Sequence, residues 1–176
     1  MPLLSTLLYV KDLIQGLAMP GGIPPLVAYV TPPAVDEATF GEPRAYVWLP
    51  TWEESRNPER GGTVPRALTK PVPGANPDSG TKGVDHSIHI WVIYDEQSDD
   101  EQADSLFPGI LDAISWQLRV STDPAIVTDP YDGTITQLVD VGESINGQIT
   151  VTALAGQRMY RYDALMVVPV LEILQS

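Results

Sequence analysis

Cysteine is absent from this 176-residue chain. Its absence rules out a disulfide scaffold, a thiolate zinc site and a cysteine nucleophile. The compartment stays open, because a cysteine-free chain tolerates either redox state. Basic side chains are few: ten Lys and Arg stand against 23 Asp and Glu, a net charge of −13, with a pI near 4.3. That balance argues against DNA or RNA held through its phosphates, which needs clustered Lys and Arg. Long apolar runs are also missing; none approaches the ~18–20 residues that span a bilayer. The opening MPLLSTLLYVKDL has no basic leader and no small-residue cleavage site, so no secretory signal is expected.

Hydrophobic residues make up 43% of the chain, enough for globular folding over most of it. The length suits one domain over residues 1–176. Charge is uneven. Residues 1–94 carry a net −2 and residues 95–176 a net −11. Ordinary solubility accounts for such a surface; so does a surface that must not hold a polyanion.

The first 18 residues read as a helix, with Leu3, Leu7, Val10, Ile14 and Leu17 on one face. Met19-Pro20-Gly21-Gly22 stops it. Residues 26–30 and 44–49 are β-rich and predict two short strands. Twelve of the 17 prolines fall in residues 20–77, so this half is built from short pieces between stiff turns. Residues 51–84 form a long Pro/Gly-rich loop with sparse apolar content and half of all the basic residues. Such a loop is usually functional or disordered when alone. Trp52 heads it, and an exposed Trp there would suit an interface anchor. Arg56, Arg60, Arg66 and Lys70 follow in the same loop.

Residues 86–94 are the clearest strand, and an acidic loop from Asp95 to Asp104 follows. Phe107, Ile110, Leu111, Ile114 and Leu118 predict a second amphipathic helix over about 103–119. Pro108 fits it if it lies in the first turn, where its missing N–H is not needed. Residues 134–141 predict a strand, Asn146-Gly147 a turn, and residues 148–155 an alternating strand. After a turn at Gly156-Gln157 the last strand runs from Met159 to about Ile173, with Pro169 implying an edge or a bulge. The expected fold is α+β: a mostly antiparallel sheet with two main helices packed on one face.

No catalytic constellation emerges. His86 and His89 stand three apart on one strand and point to opposite faces, so they do not chelate one metal. The acidic loop and the Asp129–Gly133 turn lack calcium-loop spacing. No nucleophile elbow and no phosphate-binding glycine motif is present. No catalytic residue, cofactor or metal is expected. Trp48, Trp91 and Trp116 read as core or subunit-contact residues.

The order of elements carries a resemblance. A leucine-rich helix over Leu3–Leu17 precedes two short strands and a long loop. A strand ending Ile90-Trp91-Val92-Ile93-Tyr94, an acidic turn and a helix ending Ile114-Ser115-Trp116-Gln117-Leu118-Arg119 follow, and a β stretch from Arg158 to Val170 closes the chain. This order resembles the tail terminator (tail-completion) proteins of long-tailed bacteriophages. The resemblance covers nearly the whole chain, in element order and size.

It implies a non-enzymatic virion protein made in the host cytoplasm. The family forms a homohexameric ring that caps the head-proximal end of the tail tube, ends its polymerisation and docks the tail to the head connector. The implied partners are further copies of the chain, the tail tube protein and the head-side connector or stopper; DNA passes through without specific binding, and no membrane is involved. Trp52, Arg56, Arg60, Arg66 and Lys70 then become candidate partner contacts. Asp99, Asp100 and Glu101 become candidate channel-lining residues, since like charge repels phosphates. The rival readings are another neck or tail ring component, and a small hydrolase or carbohydrate-binding module with an acidic cleft.

Overall fold

The computed structural model describes residues 2–31, 41–50, 52–53, 81–97, 103–121, 125–128, 133, 135–139, 145–154 and 159–175. Helix α1 (Pro2–Ile14) leads, and a short 3-10 turn (Pro20–Gly22) follows it. Strands β1 (Val27–Tyr29), β2 (Arg44–Trp48), β3 (Trp52–Glu53) and β4 (Thr81–Gln97) come next. Helix α2 (Ala103–Arg119) leads to β5 (Ala125–Thr128), β6 (Ile135–Val139), β7 (Asn146–Leu154) and β8 (Met159–Gln175).

The centre is a ribbon of β4 and β8, paired antiparallel from Thr81↔Gln175 to Gln97↔Met159. The main path through the sheet runs β1-β2-β4-β8-β6-β5. Strand β3 adds to β4 on the same side as β2, and β7 adds to β8 beside β6. Every described pairing is antiparallel except β1 with β2. The fold is α+β.

Register sorts the side chains into two layers, because directly opposed residues share a face. Ile88, Ile90, Val92 and Tyr94 of β4 face Val168, Met166, Ala164 and Tyr162 of β8. All eight are buried, as are Ala45 and Val47 of β2 on the same layer. Both helices cover this layer. Helix α1 contributes Val10 and Ile14, and α2 contributes Phe107, Ile110, Ile114 and Leu118. The Phe107 and Tyr162 rings lie 5.7 Å apart.

The ends of the helices follow from local chemistry. Gly16 leaves α1 with φ 73°, a left-handed cap that side chains resist, and its N–H donates to Leu26 at 2.8 Å. At the exit of α2, Ser121 Oγ donates to the Leu118 carbonyl at 2.7 Å. A Cβ on Gly109 would come within 2.9 Å of Pro20, so this glycine lets the 3-10 turn lie against α2.

Several expectations need correction. Pro108 is the sixth residue of α2 rather than part of its first turn. It is exposed on the solvent side of the helix, where the ring meets no packed neighbour strand. Asn146-Gly147 opens β7 instead of turning, because both residues pair with Val167 and Met166. The loop assigned to 51–84 begins as β3 and ends as the first part of β4; residues 54–80 lie outside the described residues.

Pro169 is neither on an edge strand nor in a bulge: it pairs with Ser87 inside the central ribbon. The reason lies on the other side of β8. Strand β7 pairs there only as far as Val167, and β6 begins at Leu171. Pro169 falls in the gap, where no described strand asks for an N–H.

Candidate functional site

Two buried polar sites stand at opposite ends of the β4–β8 ribbon, one in each layer. Asp95 was expected in a solvated acidic loop. It is instead a fully buried strand residue directly opposite Arg161. Arg161 binds it through two nitrogens, Nε at 2.7 Å to Oδ1 and Nη2 at 3.0 Å to Oδ2. Arg44 from β2 donates Nη2 to the same Oδ2 at 3.2 Å. The hydrogen bonds that Arg161 donates to Asp95 raise its pKa, partial burial lowers it, and the charges of Asp95 and Asp163 raise it further. Both oxygens of this buried carboxylate are bonded to guanidinium nitrogens, and such charge-assisted bonds are of the strong kind.

At the other end, His86 Nε2 lies 2.8 Å from Glu172 Oε2, with both side chains 1% exposed. His86 opposes Val170, so Glu172 is its diagonal neighbour on the helix-covered layer. Glu172 Oε1 and His86 Nδ1 have no hydrogen-bond partner among the described residues. Thr6 and Leu7 of α1, together with Leu49, His86 and Ile88, line a shallow recess there that has no room for even a water molecule. It therefore does not suit a small-molecule substrate.

His89 lies on the opposite layer from His86, as strand alternation requires, with its ring edge-on to Trp48 at 5.4 Å. Burial lowers its pKa. The same layer carries a row of rings, Tyr29 stacked on Tyr46 at 5.3 Å and Tyr46 tilted on Trp91 at 6.1 Å. Trp91 Nε1 donates to Asp163 at 3.2 Å. Trp48 and Trp91 are half-buried, whereas Trp116 is 68% exposed on the outward side of α2. No group of three or more potential metal ligands occurs among the described residues. No described helix is long and apolar enough to cross a membrane.

Of the predicted contact residues, Trp52 is placed in β3, its backbone opposite His86. Arg56, Arg60, Arg66, Lys70, Asp99, Asp100 and Glu101 lie outside the described residues. Sequence reasoning missed both buried polar sites. One signal was available for the second: Glu172 stands alone in the apolar run Val167 to Leu174, and a lone charge on a buried strand requires a partner.

The remaining surface feature is where apolar side chains reach solvent. Tyr29 is exposed at one end of the sheet, and Ile149 and Val151 of β7, with Ile126 of β5, at the other. The flanking sequence is uncharged in both places: residues 13–35 around β1 and residues 144–157 around β7 contain no Asp, Glu, Lys or Arg. No protein-family model matches the chain, and neither does any curated protein.

Proposed function

We propose that this protein is a structural subunit of a bacteriophage tail, a ring that caps the head-proximal end of the tail tube. In this role it ends tube polymerisation and docks the tail to the head-side connector in the virion. The observation that carries the reading is a pair of unlike exposed aromatic patches, Tyr29 at the β1 end of the sheet and Trp116 on the outward side of α2. Head-to-tail contacts need two different patches on one subunit, and they close into a ring when the rotation permits. Trp116 is a large aromatic of the kind that anchors interfaces. The net −11 of residues 95–176 suits a bore through which DNA slides without sticking.

Electron microscopy of the purified protein, alone and with tail tube protein, tests the reading. Closed six-membered rings that shorten tubes in the mixture are the expected result. Long tubes formed by the protein alone would assign it to the tube instead. A strict monomer that leaves tube length unchanged would overturn the proposal. Replacing Asp99, Asp100 and Glu101 with Lys tests the bore: assembled particles should eject DNA more slowly at low salt, where screening is weakest.

A further inference from the structure

Strand β7 is the least protected edge in the described sheet. Its nine residues, Asn146–Leu154, pair with β8 on one side and with no described strand on the other. An edge of this length presents a row of unpaired N–H and C=O groups. Proteins usually blunt such an edge with charge, proline or a bulge. This strand has none of them: its sequence NGQITVTAL holds no charged residue and no proline, and its ladder with β8 is continuous. Residues 146–153 are all exposed.

We infer that β7 is a homotypic docking strand, pairing antiparallel with β7 of a second copy so that two sheets become one. Charge selects that occupant. Two copies of a chain with net charge −13 repel over most of their surfaces. The sequence of residues 144–157 is uncharged, and within it β7 forms a sheet edge where two copies meet without that penalty.

The alternation of β7 fits the same occupant. In an antiparallel ladder the outward-pointing backbone groups belong to every second residue, so residues of like parity must meet. A twofold axis at Thr150, the middle of the strand, does this over all nine residues. Ile149 then faces Val151 of the second copy on the layer that carries Tyr162 and Ala164. Thr150 faces Thr150, and Gln148 faces Thr152, on the other layer. β-Branched and Thr–Thr pairs are favourable cross-strand neighbours. Pairing also covers Ile149 and Val151, which are 51% and 54% exposed in the single chain. The contact is twofold, unlike the head-to-tail contacts of a ring, so it stands on its own observations.

Sedimentation equilibrium of the full chain tests it, with Ile149→Lys/Val151→Lys as the disrupting variant. The wild type should show a monomer–dimer equilibrium. The double lysine variant should associate at least ~10-fold more weakly, which is ~1.4 kcal/mol, with an unchanged melting temperature because both side chains are exposed. Should that variant unfold, Thr152→Lys on the polar layer replaces it.

The cysteine-free background supplies a second readout. Thr150→Cys should form a disulfide-linked dimer under mild oxidation, since directly opposed residues sit ~4.5–5.5 Å apart, within disulfide reach. Val120→Cys, exposed on α2, should not. A wild type that stays monomeric, or a lysine variant that associates like wild type, overturns the inference. So does a lysine-sensitive association without the bond at 150. A six-membered ring insensitive to the lysines would support the ring reading and overturn this one.

Discussion

At one end of the β4–β8 ribbon a buried carboxylate meets two guanidiniums; at the other a buried carboxylate meets one imidazole. Asp95 accepts three hydrogen bonds, two of them from the fork of Arg161. Glu172 shares one hydrogen bond with His86, and its second oxygen has no described partner. Both carboxylates are withdrawn from water to the same degree, so the difference lies in coordination. Both Asp95 oxygens are bonded, whereas one Glu172 oxygen is not, and a buried acceptor left unmet costs about 1–3 kcal/mol. The sites are nine residues apart along β4, roughly 30 Å at strand spacing, and they lie in opposite layers. A slip of one residue between β4 and β8 would move Arg161 away from Asp95 and turn Glu172 from His86 to the other layer. Two unlike sites therefore specify one register.

The largest expected effect is at the well-coordinated end. Asp95→Ala leaves two guanidiniums without their anion and should cost ~3–5 kcal/mol, a fall in Tm of roughly 6–20 °C for a chain of this size. Thermal unfolding followed by circular dichroism measures it. A loss under ~1 kcal/mol, within the range of exposed pairs, would erase the contrast between the two ends.

The poorly coordinated end should respond differently to one change and to two. Glu172→Leu orphans the imidazole and should cost ~1–3 kcal/mol. His86→Leu/Glu172→Leu removes both polar groups and should return to wild-type stability or exceed it, as apolar replacements of buried pairs often do. A double variant weaker than the single one would make this pair a net stabiliser, like its counterpart.

Smaller still is the effect of Trp116→Ala. The ring is 68% exposed, so stability should change by less than ~0.5 kcal/mol. If the proposed ring role holds and the indole anchors an interface, binding to tail tubes should weaken, and co-sedimentation with tubes reads that directly.

The smallest effect is the pH response of His89. Burial lowers its pKa, so the fold favours the neutral ring and the unfolded chain binds the proton more readily. The stability tied to this ring is full above the ordinary histidine value of ~6.5 and declines as pH falls through and below it. His89→Gln should flatten the fall of Tm between pH 7 and 5 relative to wild type. An identical profile would assign the acid response to groups other than His89.

Much of the fold was legible because periodicity reports burial. The stripe Phe107, Ile110, Ile114 and Leu118 placed α2 at residues 103–119, the span it occupies. Alternation around Ile88 to Val92 placed β4, and it put His86 and His89 on opposite layers. Boundaries failed where pairing overrode local signals. Asn146-Gly147 is a turn dipeptide in isolation, yet β8 offers it a partner strand. Pro169 reads as an edge residue, yet the gap between β7 and β6 accommodates it in the centre of the sheet. The polar sites were the least legible: nothing adjacent to Asp95 announces Arg161, 66 residues away.

By itself the sequence determined the class of the fold, the two helices and their buried faces, and the acidic, cysteine-free character that excludes thiol chemistry and argues against a phosphate grip. Those properties follow from local spacing and composition, which the chain carries before it folds. Tertiary structure alone decided which strands are neighbours, which carboxylates are buried, and that β1 and β7, more than a hundred residues apart in the chain, lie on opposite sides of one sheet. Long-range pairing brings such groups together, and no local pattern encodes it, because the free energy of each contact depends on residues far away in sequence.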